Sequence, residues 1–131
     1  MIDANANRAM EGLRVCEDIV RFHYAKPQLT RRLRSLRHGI ARAVRALPID
    51  VTELLRARDS RHDVGKRAAA SSVASLEQSL LINFQRAKES LRALEECSRL
   101  ITVSHSRAFQ HLRFQAYALE REILLAIVRH R

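Results

Sequence analysis

The sequence predicts an all-α protein, a four-helix bundle built from two duplicated helical hairpins with a long central loop. Three observations carry that expectation. Glycine and proline number only 3 and 2 in 131 residues, so little interrupts a chain rich in alanine, leucine, arginine and glutamate, which favour helix. Apolar residues recur every three or four positions over long stretches. Residues 5–21 also reappear, charge by charge, 78 positions later.

The first helix is expected from about Asn5 to Tyr24, ended by Pro27, which cannot continue a helix. The second runs from about Gln28 to Leu47, with Leu29, Leu33, Leu36, Ile40, Val44 and Leu47 as its buried stripe and Pro48 as its stop. The third runs from about Ser72 to Ile101, with Ser75 and Gln78 spaced as a capping box. The fourth runs from about Ser106 to the C-terminus, with a seam of Phe109, Leu112, Ala116, Leu119, Ile123 and Ala126. The whole chain, 1–131, reads as one domain: repeat 1 over about 3–47, a loop over about 48–71, and repeat 2 over about 72–131.

Composition narrows the function. Net charge is +10, with 24 Lys+Arg against 14 Asp+Glu. Only Lys26, Lys66 and Lys88 are lysines. Guanidinium grips phosphate or carboxylate with two donors at once, so an anionic partner is expected. Cys16 and Cys97 form no CxxC pair, and the six histidines show no ligand spacing, which argues against zinc. No apolar run has transmembrane length, and the first residues lack signal-peptide character, so a cytoplasmic location is expected. Three scattered glycines build neither a P-loop nor a kinase-type glycine loop.

The repeat is the most informative feature. Asn5 falls on Asn83, Arg8 on Arg86, Glu11 on Glu89, Arg14 on Arg92, Glu17 on Glu95, Asp18 on Glu96 and Arg21 on Arg99. A shared apolar heptad cannot produce matched arginines and acids in fixed order, so duplication and a pseudo-twofold axis are expected. The second helices match only after a two-residue shift, Leu36-Arg37 falling on Leu112-Arg113. On a helical wheel Asn7, Glu11, Arg14, Asp18 and Arg21 form one stripe about 80° wide, with apolar residues to both sides. The second copy reads Gln85, Glu89, Arg92, Glu96 and Arg99. A solvated face of weak ion pairs would look similar. The apolar flanks favour a buried, functional stripe instead, with arginines for phosphate and acids such as Glu11 and Glu89 for magnesium.

Two further sets stand out. Arg58, Asp59 and Asp63-Val64-Gly65 form a polar cluster in the central loop, readable as a phosphate lid or as a plain turn. His38, beside Arg37 and Gly39 in the second helix, is a candidate catalytic group, although a lone histidine is more often structural.

With these residues in view, a resemblance emerges. The stretch Asp3-Ala4-Asn5-Ala6-Asn7-Arg8-Ala9-Met10-Glu11-Gly12-Leu13-Arg14-Val15-Cys16-Glu17-Asp18 resembles the opening motif of a small helical domain often fused ahead of thiamine-phosphate synthase. Arg58-Asp59 through Asp63-Val64-Gly65, and Arg86-Ala87 through Leu94-Glu95-Glu96, resemble its other landmarks. Lys66 and the stretch 68–75 depart from its pattern. The resemblance implies a monofunctional hydroxymethylpyrimidine phosphate kinase, unlike the ribokinase-type enzyme, that makes the diphosphate from ATP with Mg2+. No synthase barrel follows in this sequence, so a standalone form is expected.

On that resemblance, Asn5, Asn7, Arg8, Arg14, Arg37, Asn83, Arg86 and Arg92 would hold substrate and ATP phosphates. Glu11, Asp18, Glu89 and Glu96 would hold metal or position arginines. Asp59, Asp63, Arg58 and His38 would act in catalysis. The implied partners are the phosphorylated pyrimidine, ATP and thiamine-phosphate synthase, with room for a homodimer and none for a membrane or nucleic acid. Rival classes are a basic nucleic-acid-binding helical protein, a mutase-like bundle gripping a dicarboxylate, and a non-catalytic partner domain of thiamine-phosphate synthase. Acids in register with the arginines would repel a nucleic-acid backbone, which counts against the first.

Overall fold

The computed structural model describes residues 1–48 and 75–129. Four helices account for most of them: α1 (Ile2–Asp18), α2 (Pro27–Arg45), α3 (Leu76–Arg99) and α4 (Val103–Arg129). No strand occurs among the described residues. The helices form a closed ring: α1 lies between α2 and α3, and α4 closes it by packing on α3 and α2. The four-helix, all-α expectation holds.

The local signals explain the element ends. Helix α1 begins earlier than its apolar pattern suggests, with Met1 as cap, and passes into a π-helical turn at Ile19–His23. The wider turn ends where the Lys26 N–H donates to the Val20 carbonyl at 3.2 Å and Ala25 takes a left-handed conformation at φ 53°. Pro27 then opens α2 at its first turn, where a missing N–H costs nothing. Ser75 caps α3 as its spacing suggests, its Oγ accepting from the Gln78 N–H at 3.1 Å. Thr102 does the same at the start of α4, accepting from the His105 N–H at 3.2 Å.

The core comes from the predicted stripes. Leu33, Leu36, Ile40 and Leu47 of the second hairpin arm are buried, as are Phe109, Leu112, Ala116, Leu119 and Ile123 of α4. From α1 and α3 come Ala9, Leu13, Cys16 and Val20 opposite Leu80, Phe84, Ala87, Leu91 and Leu94. Each large side chain so buried contributes about 1.5–3 kcal/mol. No helix among the described residues is long and apolar enough to cross a membrane.

The register between α1 and α3 is antiparallel. Met1 touches Cys97, Gly12 lies against Asn83, and the Cys16 thiol reaches the Leu80 carbonyl. This register sets Ala9 opposite its own repeat counterpart Ala87, both fully buried. That is the register a pseudo-twofold relation between the hairpins would give. Close approach has a steric signature: a Cβ on Gly12 would sit 2.9 Å from the Asn83 carbonyl oxygen. That explains a mid-helix glycine that would otherwise cost about 1 kcal/mol.

Gly12→Ala should therefore lower stability by about 1–3 kcal/mol, because backbone must move to admit the methyl group. Gly39→Ala should stay within about 1 kcal/mol of wild type. There the nearest atom is the end of the Leu112 side chain, at 3.1 Å, which can rotate away. Denaturant midpoints of the two variants measure the contrast.

Candidate functional site

The charged stripes lie on the outside of the bundle. Glu11, Arg14, Asp18 and Arg21 are exposed and Asn7 half-buried, and Gln85, Glu89, Arg92, Glu96 and Arg99 are all exposed. The expectation of a stripe buried between two apolar flanks is therefore corrected. Ala9, Leu13, Cys16 and Val20 are the core face, and at 100° per residue they fall half a turn from the stripe rather than beside it. On the other flank Val15 and Phe22 are exposed, Phe22 at 72%.

The carboxylates that are buried sit next to the stripe. Glu17 and Glu95, repeat counterparts, are each only 2% exposed. Glu17 accepts hydrogen bonds from Arg34 Nε at 3.2 Å and Arg37 Nε at 3.0 Å. Glu95 accepts from Arg113 Nε at 2.9 Å, with Arg92 at 4.0 Å. Each pair clamps the first helix of a hairpin to its second. Arg113 stands to Arg37 as the two-residue shift requires, so the duplication extends to these bonds. Burial raises the Glu17 pKa, but hydrogen bonds from Arg37 and Arg34 and the fields of Arg37 and Arg14 outweigh it, holding the carboxyl below its usual range.

Glu17 and Glu95 lie near opposite ends of the bundle, roughly 24 Å apart along the helix axes given the α1–α3 register and 1.5 Å per residue. The same register separates Arg14 from Arg92 by roughly 15 Å but brings Arg8 within roughly 3 Å of the level of Arg86. Arg8 and Arg86 are both exposed. Glu11 and Glu89 follow them within one helical turn. The exposed faces of α1 and α3 thus carry two arginines and two acids near the same level.

The other expected residues fall as follows. Arg14 pairs with Asp18 at 3.7 Å, while Arg92 pairs with Glu96 at 3.1 Å. The Asn5 amide donates to the Met1 carbonyl, Asn83 to the Ser79 carbonyl, Asn7 to Asp3, and Gln85 to Glu89. Arg37 is engaged by Glu17, and His38 is exposed on α2. Asp59, Asp63 and Arg58 lie outside the described residues. Among the described residues no three His, Cys, Asp or Glu side chains gather to hold a metal ion. Glu11, Asp18, Glu89 and Glu96 do not form a cage.

Sequence reasoning passed over Glu17, Glu95, Arg34 and Arg113 as site residues. The signal was present: Glu17 and Glu95 matched in the repeat yet fell off the exposed stripe. It also passed over Lys88, only 8% exposed, which donates to Glu120 at 2.8 Å and lies over the Tyr117 ring at 4.4 Å. The counterparts in repeat 1 are Met10, Val44 and Ala41, so this cluster distinguishes the halves. Burial, with Glu120 nearby, pushes the Cys16 thiol far up, which leaves it unreactive as a nucleophile.

Removing a buried carboxylate strands its guanidinium. Glu17→Gln and Glu95→Gln should each cost on the order of 3 kcal/mol near neutral pH. Because the folded Glu17 carboxyl titrates low, its contribution is present above the ordinary carboxylate pKa and fades as pH falls through the folded value. The stability gap between wild type and Glu17→Gln should therefore narrow below about pH 4. Urea unfolding at a series of pH values reads this directly.

Comparison with known proteins bears on the same residues. The thiamine-phosphate synthase of Rhodopirellula baltica is 36% identical over 128 residues, covering 95% of this chain and 34% of that protein. Those of Nostoc punctiforme and Synechocystis are 35% and 34% identical over 127 residues each, with similar coverage. The chain spans about a third of the length of these curated relatives (34% to 35%). No solved structure matches it. The model of the ThiD2 family matches residues 1–122, taking in both repeats and both buried ion pairs, and the chain belongs to that family.

Proposed function

We propose that this domain works in thiamine biosynthesis as a phosphomethylpyrimidine kinase, converting 4-amino-5-hydroxymethyl-2-methylpyrimidine phosphate to the diphosphate with Mg2+ and ATP. The observation that carries the reading is the alignment of 95% of the chain with thiamine-phosphate synthases, together with the resemblance of its three motifs to the kinase domain. Making a diphosphate from a monophosphate prepares a leaving group for coupling, a step suited to a domain shared with longer synthase chains.

The exposed arginines fit the chemistry. Phosphoryl transfer asks a protein mainly for positioning and charge neutralisation. Arg8, Arg86, Arg14 and Arg92 supply permanent positive charge on the exposed faces of α1 and α3, and Asp18 and Glu96 pair with Arg14 and Arg92. Magnesium usually binds through substrate phosphates, its own waters and one or two carboxylates, so a dedicated protein cage is not required. Asp59, Asp63 and Arg58 of the central segment complete the proposed machinery.

A second reading has an observation of its own. Phe114, Tyr117, Leu125 and Val128 leave an exposed apolar strip along α4, suited to a non-catalytic partner domain of thiamine-phosphate synthase. One assay separates the two readings: purified protein, the pyrimidine monophosphate, ATP and magnesium, followed by detection of the diphosphate. The kinase reading expects turnover in wild type and losses of tenfold or more in Arg14→Ala, Arg92→Ala and Asp59→Ala, about the cost of one charged hydrogen bond. Undiminished activity in all three variants would refute the residue assignment. No turnover in wild type would leave the partner-domain reading.

A further inference from the structure

We propose that the groove between α2 and α4 is a binding site for a small heteroaromatic phosphate monoester, remote from the exposed faces of α1 and α3.

The helices stand in a ring in which α1 and α4 each touch α2 and α3. The α2–α4 groove therefore opens on the side of the bundle away from the α1–α3 contact. It holds about 590 Å³, within the roughly 300–1,000 Å³ of small-molecule sites. Its floor is apolar, formed by the buried side chains of Leu36, Leu112 and Leu119. Its walls are polar, with Arg32, Ser35 and Arg42 from α2 and His111 and Gln115 from α4. Among the described residues no carboxylate lines it.

Small residues keep the groove open. Ala108 and Ala118 stand on α4 where the repeat has Arg32 and Arg42 on α2. Gly39 lies between those arginines. The Asn83 carbonyl requires a glycine at position 12, but no backbone atom makes the same demand at Gly39. Its neighbours are the end of the Leu112 side chain at 3.1 Å and Arg42 Nη2 at 3.8 Å from where a Cβ would stand. A glycine inside a helix costs stability relative to alanine. Close approach of a ligand is what the bare backbone there permits.

The register sets the order of the polar groups along the groove. Helices α2 and α4 run antiparallel, with His105 Nε2 3.2 Å from the Ala46 carbonyl oxygen and Leu112 against Gly39. His111 then stands level with Gly39 and Ile40, and Gln115 level with Ser35 and Leu36. A His111 ring nitrogen and the Gln115 amide nitrogen are 3.2 Å apart, and the amide keeps further donor and acceptor capacity. Arg42 turns its guanidinium toward Gly39 and has no carboxylate partner among the described residues. Arg32, roughly 15 Å away along α2, is engaged by Glu122. The groove thus offers one uncommitted cation at one end, neutral hydrogen-bonding groups in the middle and an apolar floor beneath them.

That order selects the ligand. A phosphate meets Arg42, which can grip two of its oxygens at once. A planar ring covers the leucine floor and presents its polar edge to Gln115 and Ser35. Gly39 and Ser35 are roughly 6 Å apart along the helix, the span from a phosphate to a ring joined to it by a short linker. A ligand with a phosphate at each end would have to displace Glu122 from Arg32, which favours a single phosphate. Phosphorylated pyrimidines and nucleoside monophosphates share this chemistry.

Amide NMR titrations of the full chain both locate binding and measure it. The probes are 4-amino-5-hydroxymethyl-2-methylpyrimidine phosphate and AMP, with the unphosphorylated pyrimidine as control. At least one ester should shift the Gly39, His111 and Gln115 amide signals saturably, and the two affinities tell which source of ring and phosphate the groove prefers. The unphosphorylated pyrimidine should bind at least about tenfold more weakly, as loss of a charged hydrogen bond requires. Arg42→Ala should weaken the ester by roughly 10–100-fold, and Ser35→Trp should abolish binding by filling the groove. Arg31→Ala, an exposed position on α2 outside the groove, should leave the affinity within about twofold. Ser35 and Arg42 are exposed, and the same spectra report that each variant is folded. Shifts confined to α1 and α3 would overturn the groove as a site while leaving the kinase reading standing. No shift at Gly39, His111 or Gln115 with either ester at millimolar concentration, or equal losses in Arg31→Ala and Arg42→Ala, would overturn it as well. Failure of the wild type to make the diphosphate would sink the kinase reading and leave this binding result untouched.

Discussion

The contact between α1 and α3 at Gly12 sets how the two repeat helices lie against each other. A hydrogen in place of a methyl group lets the Asn83 carbonyl come within 2.9 Å of where a Cβ would stand. That approach, with Ala9 and Ala87 alongside, locks two antiparallel helices at one register. Once the register is set, the level of each arginine along the seam follows from 1.5 Å per residue. A slip of one helical turn would take Arg8 and Arg86 off their common level.

The buried glutamates act at right angles to this contact. Glu17 and Glu95 tie each first helix to its own second helix, through Arg37 and Arg113. A buried pair of this kind adds little net stability compared with well-packed apolar residues, but breaking it is costly. Its role is to reject other helix rotations: a turn of either helix would leave a carboxylate in the core without its guanidinium. Apolar contact between hairpins and charged contact within them therefore fix different degrees of freedom of the same bundle.

Much of this was legible in the sequence, and the reasons for the rest are physical. Apolar spacing placed the helices and nearly all the core, because burial area dominates and repeats every three or four residues. Ser75 and Pro27 marked boundaries because caps and prolines act locally. The duplication was visible because charges recurred in order. The burial of the stripe was misjudged: apolar residues at Ala9, Leu13, Cys16 and Val20 lie across the helix from Arg14, and neighbours in sequence are not neighbours on a wheel. The roles of Glu17 and Glu95 were hidden because their partners, Arg37 and Arg113, stand on other helices and are found only once hairpin geometry is known. Lys88 stayed hidden for the same reason, as nothing local announces Glu120 beside it.

The allocation of these ion pairs bears on how such a protein could arise. Among the described residues, Glu17 with Arg34 and Arg37, Glu95 with Arg113, and Lys88 with Glu120 each close inside one hairpin. Arg32 and Glu122 pair between hairpins, and that pair is half-exposed. Each hairpin thus closes these buried ion pairs within itself. A gene encoding one such hairpin would give a chain able to assemble with its own copy while keeping its buried glutamate paired. Tandem fusion of two copies would then preserve the assembly from the first generation, leaving later substitutions such as Lys88 and Glu120 free to make the halves unequal.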